Sequence, residues 1–88
     1  MKSYLITIII RDGDHEYADK TILDLTDEQA EEPTDILSLW KCVDEKPTEI
    51  HSAWYEFEGF DYRHYQVYHI QEIIKPEDKP ILHSYGIY

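Results

Sequence analysis

YLITIIIRDGDHEYADKTILDL, residues 4–25, is the stretch whose reading decides the fold. Its first seven residues, Tyr4 to Ile10, are rich in β-branched side chains and too few for a convincing helix, so they predict a strand with substantial burial on both faces. Asp12-Gly13 follows, the strongest short-range hairpin signal in the chain. From Glu16 to Leu25 a second strand resumes with polar residues mixed in, as suits the more exposed partner. Pairing around the turn puts Tyr4, Ile6, Ile8 and Ile10 on the face shared with Tyr17, Asp19, Thr21 and Leu23. One face of the hairpin is the core side.

At Thr26 the pattern changes. Thr26-Asp27-Glu28-Gln29 matches a capping box, and Asp27 and Glu28 suit the positive end of a helix. Pro33 cannot sit inside a helix without losing a hydrogen bond, so a first turn reaches about Glu31 and a second helix opens at Pro33. Ile36, Leu39, Trp40 and Val43 recur at i, i+3, i+4, i+7 with Leu37 beside them, a stripe expected to lie on the sheet. DEKPTE, residues 44–49, is a polar connection. HSAWYEFEGF and YRHYQVYHIQEII then read as two further strands with a bend at residues 58–61, and residues 80–86 as a short helix opened by proline and closed by glycine. In strict alternation, Tyr62, His64, Gln66, Tyr68 and Ile70 face one way and Arg63, Tyr65, Val67, His69 and Gln71 the other, so neither side is wholly apolar. The order is ββαββα. It predicts one α+β domain over residues 1–88, a small antiparallel sheet of about four strands with helices on one face.

Eighty-eight residues bury only roughly 60–65% of their unfolded surface, so the stability margin is thin. An apolar fraction of 42% is nonetheless enough for a folded chain. Nineteen Asp and Glu against eight Lys and Arg give a net charge of -11. A field of that sign repels phosphates and anionic membranes and favours a basic partner. The single Cys42 excludes an internal disulfide and, inside ILSLWKCV, reads as a small buried hydrophobe. No export signal or membrane-length apolar run is present, which makes a reducing cytoplasm the default.

The charge is concentrated. Ten carboxylates and one base, Lys20, lie between Asp12 and Asp35, and DLTDEQAEEPTD alone holds Asp24, Asp27, Glu28, Glu31, Glu32 and Asp35 with no cation. Such a run is ordinarily a solvated face, but so much unbalanced charge opposes folding of a small domain unless something uses it. Asp12-Gly13-Asp14-His15-Glu16 lacks the spacing of a calcium loop, and no two of the five histidines, His15, His51, His64, His69 and His83, are spaced as a zinc pair. No metal or cofactor is expected. With three glycines there is no phosphate-cradling loop.

Eight tyrosines and two tryptophans exceed the needs of a small core. The last strand should therefore expose some of Tyr62, Tyr65 and Tyr68, and exposed aromatics favour protein interfaces. The expectation is a non-enzymatic protein that docks Asp24, Asp27, Glu28, Glu31, Glu32 and Asp35 on a basic protein surface, with those tyrosines as apolar anchors. Its sharper form is a nucleic-acid mimic, since small acidic inhibitors of restriction or CRISPR nucleases share this size and charge. A homodimer through the aromatic strand is a further option. The alternative is acid–base or metal-assisted catalysis by Glu56, Glu58 and His64, with the two acids on one strand face and the histidine across a hairpin.

Overall fold

The computed structural model describes residues 1–42, 49–51, 54–57 and 63–88. Its elements are β1 (Lys2–Asp12), β2 (His15–Leu25), α1 (Asp27–Glu31), α2 (Pro33–Lys41), β3 (Glu49–His51), β4 (Trp54–Glu56), β5 (Arg63–Glu72) and α3 (Asp78–Ser84). The fold is α+β. The strands form one antiparallel sheet in the order β2-β1-β5-β4-β3. The sheet has five strands where about four were expected, because β3 (Glu49–His51) begins at the end of the stretch read as a polar connection and β4 (Trp54–Glu56) lies in the segment read as one strand.

The opening hairpin pairs as its alternation requires: Tyr4 opposes Leu23, Ile6 Thr21, Ile8 Asp19 and Ile10 Tyr17. Asp12 opposes His15, leaving Gly13 and Asp14 as the two loop residues. Gly13 takes φ +62° in the first loop position, which only glycine adopts without strain. Ile6, Ile8 and Ile10 are buried, together with Leu25, Ile36, Leu37, Phe57 and Tyr65. Each such side chain contributes about 1.5–3 kcal/mol by leaving water.

Between Thr7 and Ile8 the β1–β5 register shifts: Ile6 opposes Ile70 and Thr7 His69, but Ile8 opposes Val67 and Ile10 Tyr65. Tyr68 is the extra residue, a β-bulge. The bulge resolves the mixed faces of strict alternation, because Tyr65, Val67 and Ile70 all turn to the core side. His64, Gln66, His69 and Gln71 take the other side. Tyr65 sits at the centre, fully buried, with edge-on contacts to Trp40 at 5.5 Å and Phe57 at 6.2 Å between ring centroids. The Lys41 ammonium closes this cluster from above, 4.2 Å from the Trp40 ring centre and 4.9 Å from that of Tyr65. Burial holds the Lys41 pKa below its ordinary value, and the nearby Arg63 charge adds to the effect.

Both halves of the Thr26 capping box form: Gln29 N–H donates to Thr26 Oγ1 at 3.2 Å, and Thr26 N–H to Gln29 Oε1 at 3.0 Å. Pro33 opens α2 as expected. Ile36 and Leu37 are buried and Trp40 packs against the core, but Leu39 is 43% exposed, so the buried stripe runs one residue round from the predicted one. Val43 lies outside the described residues. Cys42 is exposed, contrary to the expected buried thiol, because it is the left-handed C-cap of α2, at φ 57° and ψ 43°. A side chain with a Cβ is strained by roughly 1 kcal/mol there. Cys42→Gly is therefore expected to raise stability by about 1 kcal/mol, read as a higher urea midpoint at unchanged slope.

The helices divide between the faces. α1 and α2 cover the core face, whereas α3 lies over one end of the other, where Leu5, Ile73, Ile81 and Leu82 line a shallow cavity of about 230 Å³. No helix among the described residues is long and apolar enough to cross a membrane.

Candidate docking surface

Thr26 starts α1 and Pro33 restarts the chain as α2, and between them these two signals set the spacing of the acids. Glu28, Glu31, Glu32 and Asp35 fall at i, i+3, i+4 and i+7 along consecutive helical segments, and all four are exposed. None of the four forms an ion pair with a described residue. Asp24 and Asp27, at the base of the ridge, are also exposed but are partnered: Asp27 meets Lys2 at 3.5 Å and Asp24 meets Lys79 at 3.4 Å. Lys2 also reaches Glu72 at 4.0 Å. Two lysines thus neutralise the base and leave the crest negative.

Asp24 is further fixed by the Ser3 hydroxyl, which donates to Oδ1 at 2.5 Å. That hydrogen bond first, and the Lys79 charge second, hold its carboxyl below the ordinary value of 3.8. The folded state therefore binds this proton more weakly than the unfolded chain. Its stabilisation is present above the unfolded value and is lost as pH falls through the depressed folded one. Ser3→Ala should lose a little stability at pH 6 and match the wild type near pH 2, as urea midpoints would show.

The aromatic anchors fare differently from one another. Tyr68 is 68% exposed at the bulge. Tyr65, expected among the exposed candidates, is buried in the core, because the bulge lets Arg63, Tyr65 and Val67 share the core face with Asp12, Ile10 and Ile8. Tyr62 lies outside the described residues. β5 is flanked by β1 and β4, so a homodimer through this strand has only its exposed positions to use. Leu39 is the apolar neighbour the sequence reading missed, one helical turn beyond Asp35 and exposed with it. Its i+4 spacing from Asp35 carried the signal, but the same spacing also fitted the buried stripe.

On the second sheet face Glu56 opposes His64, with Oε2 3.2 Å from Nε2, and both side chains are partly exposed. Arg11 neighbours His64 and lays its guanidinium 4.2 Å over the Trp54 ring centre, while also reaching Glu16 at 3.9 Å. Glu58, the other acid of that reading, lies outside the described residues. The bulge puts His64 and His69 on the same face, not opposite ones. They oppose Arg11 and Thr7, four positions apart, or roughly 13 Å along the strand, too far to share one ion.

No family model, no curated protein and no solved structure matches this chain.

Proposed function

We propose that the protein is a non-enzymatic interaction module whose α1–α2 ridge docks on a basic surface of another protein. The observation that carries the reading is the cluster itself: Glu28 and Glu31 on α1, Glu32 at the extended joint and Asp35 on α2 are all exposed and without a described counter-ion, while Lys2 and Lys79 pair with Asp27 and Asp24. Like charges set side by side repel by a few tenths of a kcal/mol per pair, and a cationic partner removes that repulsion on binding. Leu39 supplies an apolar contact beside Asp35, and Tyr68, on β5, is a further exposed large side chain. Charges of this kind steer encounter and select partners more than they add raw affinity.

Nucleic-acid mimicry is the narrower form. Closely spaced exposed carboxylates carried by two successive short helices would offer a DNA- or RNA-binding groove a local array of negative charge, as a phosphate backbone does. Catalysis by Glu56 and His64 has their 3.2 Å pair in its favour, but both side chains are partly exposed, beside Arg11 stacked on Trp54. The ridge reading is preferred for that reason.

The test immobilises the wild type beside Glu28→Gln/Glu31→Gln/Glu32→Gln/Asp35→Asn and captures proteins from cell extract at low and high salt. Circular dichroism confirms that the variant folds. A basic protein held by the wild type, absent from the variant and displaced by duplex DNA supports mimicry. Capture that duplex DNA does not displace supports the broader docking reading alone, and identical capture by both baits refutes the ridge.

A further inference from the structure

We propose that the outer edge of β2 pairs with the same edge of a second copy, antiparallel about a two-fold axis at Tyr17. The inference is independent of the ridge and rests on which backbone groups of β2 face outward.

β2 is the last strand of the sheet, and among the described strands it pairs only with β1. Ile22 N–H donates to the Tyr88 carbonyl at 3.0 Å and not to β1, so Ile22 presents its backbone outward. Strand alternation then turns the backbone groups of Lys20, Ala18 and Glu16 outward as well. Two of these four outward N–H groups are already engaged, that of Ile22 by Tyr88 and that of Lys20 by the Asp19 carboxylate at 2.9 Å. The outward N–H and C=O groups of Glu16 and Ala18 have no partner among the described residues.

That remainder is self-complementary. An antiparallel pair centred on Tyr17 sets Glu16 opposite Ala18 of the second copy and Ala18 opposite its Glu16. Four N–H···O=C bonds form, and the Ile22 and Lys20 bonds stay intact. Tyr17 meets its own copy at a non-hydrogen-bonded position, where side chains approach most closely, and it is 45% exposed in the single chain. His15 falls opposite Asp19. No carboxylate directly opposes another in this register, whereas centring on Glu16, Asp19 or Lys20 places a charge against its like.

Such a contact is isologous, so the β2 edge is fully used at two copies. The pairing joins two five-stranded sheets into one of ten. Each copy carries a net charge of -11, so added salt should tighten the dimer by screening the repulsion. Docking of the ridge on a basic protein would weaken under the same conditions.

Sedimentation equilibrium from micromolar to millimolar protein tests the proposal on the intact chain. The wild type should show a monomer–dimer equilibrium that shifts to dimer with salt. Ala18→Pro removes an outward N–H without touching the β1 ladder and should weaken association about 10- to 100-fold, two of the four bonds being lost. Should that variant not fold, cross-linking decides. Tyr17→Cys/Cys42→Ser should oxidise to a covalent dimer, while Lys20→Cys/Cys42→Ser, whose cysteines would lie about 20 Å apart, should not. A wild type that stays monomeric throughout, a folded Ala18→Pro dimer of unchanged affinity, or cross-linking at Lys20 in preference to Tyr17 each overturns the pairing.

Discussion

Replacing Tyr65 by alanine is expected to lower the unfolding free energy by about 3–5 kcal/mol, the range for deleting a large aromatic from a packed core. An 88-residue domain has roughly 4–13 kcal/mol in total, so the variant should be largely unfolded at moderate temperature or in dilute urea. The size of the effect follows from position: Tyr65 joins β5 to α2 through Trp40 and to Phe57 on its other flank. Tyr65→Phe should behave oppositely. The hydroxyl is buried and makes no hydrogen bond of ordinary geometry with a described residue, and burial raises its pKa even though the Arg63 charge pulls it down. Removing an oxygen in that position leaves stability unchanged or improves it by up to about 1 kcal/mol. A phenylalanine variant that loses more than about 1.5 kcal/mol would mean that the hydroxyl has a partner worth that much. Urea titrations followed by tryptophan fluorescence separate these outcomes.

The second large effect concerns binding. Neutralising the ridge crest should weaken the captured basic partner about 100-fold or more at low salt, on the order of 3 kcal/mol, because four carboxylates act together where single rim charges contribute about 0.2–1 kcal/mol each. The loss should shrink as salt rises, since exposed pairs are screened beyond about 8–10 Å at physiological ionic strength. Asp24→Asn should do much less. Its carboxylate is already shared between Ser3 and Lys79, and removing it leaves the crest intact. Isothermal titration at two salt concentrations reads both predictions. Leu39→Ser adds an arm with a different signature, since losing an apolar contact costs affinity without changing the salt dependence.

Much of this architecture was legible because local signals agreed with one another. β-branched residues from Tyr4 to Ile10, the glycine after Asp12, the Thr26 capping box and Pro33 each prescribe one local conformation, and together they give the hairpin register and both helix starts. What the chain concealed depends on tertiary pairing. A bulge at Tyr68 has no signature of its own, yet it moves Tyr65 from an exposed candidate to the buried centre and puts His64 and His69 on one face. Cys42 is exposed because the chain leaves α2 there in a left-handed cap, and Leu39 for a reason of packing. One helical spacing fits two adjacent stripes, and packing against the sheet selected Ile36, Leu37 and Trp40. The placement of α3 over the opposite face was equally hidden, because its seven residues bury none of their number completely. For the candidate site, the identities of the acids were plain in DLTDEQAEEPTD. Its division into a neutralised base and an uncompensated crest required Lys2 and Lys79, which come from distant parts of the chain.

The central claim is that the position of the charge, not its total, makes the ridge a docking surface. The most direct measurement relocates it: Glu28→Gln, Glu31→Gln, Glu32→Gln and Asp35→Asn are combined with His69→Glu, Gln71→Glu and Lys75→Glu at exposed positions, which restores the original net charge. Affinity for the partner retained by the wild type is then titrated at low salt. The ridge account predicts that the relocated variant binds as poorly as the neutralised one, about 100-fold below the wild type. Wild-type affinity in the relocated variant would contradict it and reduce the acidic segment to a contribution to overall charge.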